Sequence, residues 1–373
     1  MQQPRIFIER KGDTESLERF TETCSPRVTL DVYRQQLEEL FEIMHPATFH
    51  DPKAKADFIK SYIDEKLSSA WVFLPWRSTL VHCLARDEYI QLLTNRNQLL
   101  VTKSEQARLL DACIAYCGLS VGNAMALNAL HSGIATNFKL ADFDTIETAN
   151  LNRVRASVLD VGQPKVELTA RQLWEANPFI NLQLFPKGID EQNITSFFED
   201  PVPKIVFEAI DDFKMKIRLR LEAKSRGIPV VMLTSLGDNL LMDVERYDID
   251  ESLPLFNGLL GDLPEDILQS DIGHKEQVRC AIDIVGMENI PTRALESLLE
   301  MRKSLVGRPQ LASTVMINGG ISAYIARQIL LGCKLESGRY SFSVNDIFKI
   351  IPEPASLDRD IALSKLSDLF EKQ

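Results

Sequence analysis

The chain has 373 residues, 45% of them apolar, enough for a sizeable core and for two domains or one domain with a long extension. Its 42 Lys and Arg against 53 Asp and Glu leave a formal charge of -11, which disfavours a role built on neutralising a polyanion, and no nucleic-acid partner is expected. No run approaches the ~20 apolar residues of a membrane span, the start MQQPRIFIERKGD lacks the apolar core of a signal peptide, and the six cysteines, without a C-x-x-C pair, fit neither a zinc ribbon nor a redox dithiol. A reducing cytoplasm is the expected setting, with no membrane association.

Residues 1–90 read as an N-terminal extension, mainly helical. LDVYRQQLEELFEIM carries apolar residues at helical spacing, and DPKAKADFIKSYIDEKL starts a second helix after Asp51. SSAWVFLPWRSTLVHCL is aromatic and apolar, with Pro75 as a break. His45, His50 and His82 match no metal-ligand spacing and read as solvated or core histidines. From about residue 104 the rhythm changes. A short helix, SEQARLLDA, precedes the strand CIAYCGL and a helix ended by Gly133; NFKLADFD, NLQLFPKG, KIVFEAIDD and IPVVMLTSLG are further strands, with helices QPKVELTARQLWEANP and FKMKIRLRLEAKSRG between them. Strands alternating with helices in this way predict an α/β fold, a Rossmann-like, mostly parallel sheet with helices on both faces, over residues 91–335. Residues 336–373 read as a tail ending in a surface helix.

The turn Gly118-Leu119-Ser120-Val121-Gly122 admits two chemistries. As G-x-S-x-G it is a nucleophile elbow, which requires an acid and then a histidine downstream. Only His131 and His274 follow Ser120; His131 is too near in sequence, which leaves His274. As a small-residue turn between a strand and a helix it is a phosphate cradle, offering free backbone N–H groups and the positive end of a helix dipole. That reading requires an acid at the end of the next strand, and Asp142 stands 20 residues after Gly122, with Asp144 alternating beyond it. Asn150, Arg153 and Lys165 follow. A dinucleotide-dependent oxidoreductase has no need of that arginine and lysine, whereas an enzyme handling a triphosphate does. The strand end Glu208-Ala209-Ile210-Asp211-Asp212 adds carboxylates, one of which can hold magnesium.

The glycine turn, ADFDTIETANLNR, VGQPKVE and EAIDD, in this order, resemble the ThiF/MoeB/HesA family, the adenylating fold of ubiquitin-activating-type enzymes. ANPFINL, RGIPVVM and INGGISAYIARQILLG extend the resemblance over roughly residues 94–333. The resemblance implies attack of a carboxylate on the α-phosphate of ATP, giving an acyl-adenylate and pyrophosphate. It implies that Asp142 binds ribose, that Asn150 and Arg153 contact ribose and phosphates, that Lys165 sits on the α-phosphate, and that Asp211 positions magnesium. Gly118, Ser120, Gly122, Asp144, Asn152 and Asp212 complete the expected nucleotide contacts. It further implies a homodimer in which an arginine just before the core, here Arg96, reaches the partner's γ-phosphate. The chain departs from the family in a turn one residue shorter with Ser120 in place of a glycine, in the missing zinc-binding cysteine pairs, and in the absence of a convincing catalytic cysteine, since Cys280 reads as a structural thiol in a helix. The expected substrate is a carboxylate, from a peptide, a ubiquitin-like C-terminus or a small molecule. A catalytically retired nucleotide- or partner-binding module of the same fold is the alternative.

Overall fold

The computed structural model describes residues 2–9, 14–269, 273–351 and 355–371. The chain divides into two compact units.

The first unit holds the residues up to Leu110 together with Leu130–Gly133 and Arg171–Ile180. Its strands β1 (Arg5–Ile8), β2 (Val28–Asp31), β3 (Ser69–Leu74) and β4 (Thr79–Leu84) form one sheet in the order β1-β3-β4-β2. β3 and β4 make an antiparallel hairpin around the Pro75–Arg77 turn, with Ser78 left-handed at φ 48°. The expectation of a mainly helical extension omitted this sheet. Pro75 breaks a helix, but it also opens a hairpin corner, and the flanking β-branched and aromatic residues suit a pleated surface. Ala70, Val72 and Cys83 pack on one face, while Phe73 and Leu80 meet Phe20 on the other. The two expected helices form as Tyr33–Met44 and Pro52–Asp64, the second capped by Asp51, whose Oδ1 accepts from the amides of Lys53 and Ala54.

His82 stacks between Trp71 and Tyr33, with Nε2 2.9 Å from Ser69 Oγ and Nδ1 3.1 Å from Asp31 Oδ1. This is a serine–histidine–aspartate line, but Ser69 is 1% exposed and its hydroxyl donates to Glu9, so it braces the sheet and presents no nucleophile.

The second unit carries the seven-stranded sheet. β5 (Cys113–Cys117), β6 (Asn137–Ala141), β7 (Asn181–Phe185), β8 (Ile205–Glu208) and β9 (Val230–Leu236) are parallel, and β10 (Asn239–Glu245) and β11 (Gly338–Ser343) are added antiparallel in the order β11-β10-β9-β8-β5-β6-β7. β5 to β9 are the five strands expected from the sequence. β5 is the first of them and lies in the middle; the chain builds β6 and β7 on one side, then crosses to build β8 and β9 on the other. The switch point therefore falls at the carboxyl ends of β5 and β8. Residues 336–373 are more than a tail: β11 closes the sheet's edge, and the helix Arg359–Glu371 buries Ala362 and Leu366 against Leu295 and Leu299. Among the described residues, no helix is long and apolar enough to cross a membrane.

Candidate functional site

The ends of β5, β6 and β8 are tied in register. The Gly118 amide donates to Ala141 O at 2.8 Å, and the Ala209 amide donates to Cys117 O at 2.8 Å. Gly118 leaves β5 at φ +85°, and a Cβ there would lie 2.3 Å from Ala209 O. Only glycine lets the turn pass this close to the β8 end. Gly118→Ala is accordingly expected to destabilise the fold by about 2–3 kcal/mol, from left-handed strain and a backbone clash. Thermal denaturation reads this directly, and an unchanged midpoint contradicts it. Beyond the turn, the helix Gly122–His131 begins, with the Ala124 and Met125 amides closing back onto Val121 O at 3.1 and 3.4 Å.

Asp142 is 8% exposed just past the end of β6. Its Oδ2 accepts from the Leu119 amide at 2.6 Å, and its Oδ1 accepts from the Asp144 amide at 2.7 Å. Burial pushes its carboxyl up, against the pull of those two amides and of Lys165. The acid thus clamps the turn to the β6 end, and each oxygen keeps a lone pair for a ligand hydroxyl. Ser120 Oγ is buried and has no hydrogen-bond partner. A buried hydroxyl without a protein partner is able to bond a phosphate oxygen.

Lys165 opens the helix Lys165–Ala176, its amide donating to Asp144 O at 2.9 Å. The residue is 7% exposed, and its ammonium donates to Asp144 Oδ2 at 2.7 Å. Asp144 and Lys165, both expected at the nucleotide, therefore form an ion pair in which the lysine is buried and the aspartate half exposed. Asn150 is buried and its Oδ1 accepts from the Glu147 amide at 3.2 Å, shaping the turn that precedes Arg153. Arg153 donates through Nη1 to Ala149 O and Asn152 Oδ1, while its Nε is buried without a partner; burial lowers its pKa.

At the β8 end the acids divide. Asp212 caps the helix Phe213–Ser225 by accepting from the Met215 amide at 2.8 Å. Asp211 has a side chain 98% exposed, with Arg308 Nη2 3.7 Å away. The described residues hold no group of three or more His, Cys, Asp or Glu that could cage a metal. One free carboxylate beside a phosphate site nonetheless fits magnesium, which keeps several waters and binds through one or two carboxylates plus phosphates. Glu208, the third acid, is fully buried and spoken for: it accepts from Lys216 at 2.7 Å, Arg220 at 2.8 Å and the Ile210 amide at 2.6 Å.

Arg96 stands exposed in the short turn Asn95–Asn97 of the first unit. Cys280 is 1% exposed in a core with Phe213, Ile217 and Phe256, and burial raises its thiol. The side chain of His274, on which the hydrolase reading rested, lies outside the described residues. Sequence reasoning missed Arg308 and Gln310, which reach the site from far along the chain, and no local motif marked them.

A mostly parallel sheet with a glycine turn, a clamped acid and a buried lysine at its switch point defines an α/β fold of Rossmann-like kind. The chain belongs to the ThiF family, which it matches over residues 94–352. Among curated proteins, an uncharacterized protein of Mycobacterium tuberculosis is 34% identical over 284 residues, covering 76% of this chain and 39% of the relative. The tRNA threonylcarbamoyladenosine dehydratase of Bacillus subtilis is 28% identical over 156 residues, 42% of this chain and 60% of the relative. The molybdopterin-synthase adenylyltransferase of Salmonella typhimurium is 28% identical over 127 residues, 34% of this chain and 50% of the relative. The chain thus spans from 39% to 60% of the length of these relatives. Among solved structures, that of PaaA has a TM-score of 0.49 at 19% identity, covering 69% of this chain and 77% of the other.

Proposed function

We propose that the protein is an ATP-dependent adenylyltransferase, activating a carboxylate by its attack on the α-phosphate of ATP to give an acyl-adenylate and pyrophosphate. The observation that carries this reading is the Lys165 ammonium, buried at the rim of the switch point 2.7 Å from Asp144. A buried ammonium is expensive unless paired, and one stationed beside a phosphate turn is positioned to take up charge developing on an α-phosphate. The name of the Salmonella relative, an adenylyltransferase, supports the same chemistry.

In this reading Asp142 accepts from ribose, the Gly118 to Gly122 turn and Ser120 hold phosphate oxygens, and Asn150, Asn152 and Arg153 support the ribose and phosphates from the neighbouring turn. Asp211 would hold magnesium, whose charge offsets that of the phosphates. Asp212 is assigned to helix capping, not to the nucleotide. Arg96 would act across a homodimer, completing the partner's γ-phosphate site. The carboxylate belongs to a peptide, a ubiquitin-like C-terminus or a small molecule, and the activated acyl group passes directly to the acceptor. Buried Cys280 takes no part, so Cys280→Ala is expected to leave the rate of pyrophosphate exchange within about twofold of wild type; a loss of transfer with exchange retained would instead reveal a thioester step.

The test of the whole reading is exchange of labelled pyrophosphate into ATP, assayed over a panel of peptide and small carboxylates. The shortened turn and its serine favour a second reading, a retired binding module. In that case calorimetry detects nucleotide or partner binding and no carboxylate supports exchange.

A further inference from the structure

We propose that Arg308, carried by the exposed segment of residues 302–311, is a nucleotide-binding residue that recognises the β- and γ-phosphates of ATP from within the same chain. The inference rests on the adenylation reading above and adds a residue that neither the turn nor the strand ends supply.

The segment enters the helix Ala312–Leu330 and touches the site at two points. Asn152 Nδ2 donates to Gln310 O at 2.9 Å, across 158 residues of sequence, which pins the segment to the turn carrying Arg153. Two residues earlier, Arg308 Nη2 lies 3.7 Å from Asp211 Oδ1. The segment therefore bridges the turn after β6 and the end of β8, the two sides of the switch point. Gln310 Oε1 is buried and has no hydrogen-bond partner. A buried acceptor left empty is unfavourable, and a ligand hydroxyl or a metal-bound water would satisfy it, though a phosphate oxygen would not. The orphaned Nε of Arg153 adjoins the same contact, one residue from Asn152.

Among the described residues around the site, several cations are already held and Arg308 only weakly so. Lys165, itself buried, is held by the half-exposed Asp144 at 2.7 Å. Arg153 has Nη1 committed to Ala149 O and Asn152 Oδ1. Lys216 and Arg220 are committed to Glu208. Arg308 has a side chain 56% exposed, and Asp211, the acid it faces among the described residues, is 98% exposed. A long, exposed pair of this kind is weak, so releasing it is cheap. Asp211 is also the carboxylate assigned to magnesium. A cation beside the metal-holding acid lies at the β,γ end of a nucleotide whose α-phosphate faces Lys165. Binding would exchange the Asp211–Arg308 contact for charge-assisted bonds from the guanidinium to phosphate oxygens.

Calorimetry with ATP, ADP and AMP in excess magnesium, on the full chain, tests this. Arg308→Ala is expected to weaken ATP about ten- to a hundredfold, ADP by less, and AMP not measurably, with the melting temperature unchanged because the side chain is exposed. Arg308→Lys should recover part of the ATP affinity. ATP affinity unchanged in Arg308→Ala, with wild type binding ATP, overturns the inference and leaves the adenylation reading standing. Equal losses for ATP and AMP overturn it too, since they mark general disturbance of the site. A wild type that binds no nucleotide overturns both.

Discussion

Lys165→Ala is expected to lower pyrophosphate exchange by about 10²- to 10³-fold, the scale set by removing a preorganised donor from a developing charge. Two effects have to be separated. The substitution removes the cation, and it also leaves Asp144, whose Oδ2 accepts from that ammonium at 2.7 Å, without its partner. Part of any loss could therefore come from a disturbed rim. The double substitution Lys165→Met with Asp144→Asn resolves this, because it removes both charges and keeps the volume. It should restore the melting temperature toward wild type while exchange stays absent. Should the double variant regain exchange, Lys165 is a strut for the turn and the assigned role is wrong. Retained exchange in Lys165→Ala would remove the central cation from the proposed function altogether.

The legible part of this fold was the part encoded locally. β5 to β9 are short apolar runs that end in glycine or acids, and the helices between them carry their own caps and periodicity, so the core could be read strand by strand. The positions of Gly118, Asp142 and Lys165 followed because their spacing is fixed by one strand–helix–strand passage. What escaped depended on contacts distant in sequence. The hairpin of β3 and β4 was hidden by Pro75, which signals a break without saying whether a helix or a corner follows. β10 and β11 join the sheet only through pairing with each other and with β9. Arg308 and Gln310 lie in a polar stretch that reads as an ordinary loop, and only folding brings Gln310 O against Asn152. Asp211 and Asp212 are adjacent and chemically alike; the helix start engages Asp212 and leaves Asp211 in solvent. The local residues alone did not choose between them; the family resemblance assigned magnesium to Asp211.

Arg220 was the least visible residue of all. FKMKIRLRLEAKS looks like a cationic surface helix, yet Arg220 is 0% exposed. Its Nη1 donates to Glu208 Oε2 at 2.8 Å, its Nε donates to Glu245 Oε2 at 2.7 Å, and its guanidinium lies 4.0 Å from the centre of the Phe256 ring. Glu245 also accepts from Tyr247 and from the Phe256 amide. Replacing Arg220 by Met keeps the volume and strands two buried carboxylates, with Lys216 the remaining cation on Glu208. Breaking a buried pair on one side typically costs about 3–5 kcal/mol, so the melting temperature should fall by roughly 10 °C. Adding Glu208→Gln and Glu245→Gln should return much of that, since the amides are uncharged and can still accept. The pH dependence has a definite sign. Burial pushes the Glu208 carboxyl up, but Lys216 and Arg220 together hold it below the usual glutamate range. A carboxyl with a depressed folded pKa contributes stability above its unfolded pKa, and that contribution is lost as pH falls through the folded value. Without Arg220, Glu208 takes up a proton more readily in the folded state, which relieves the stranded charge in acid. The gap between wild type and Arg220→Met should therefore narrow as pH is lowered from 7 into the carboxylate range. Thermal denaturation across that interval measures it, and a gap that widens in acid would mean that the network is not held together by ionised Glu208.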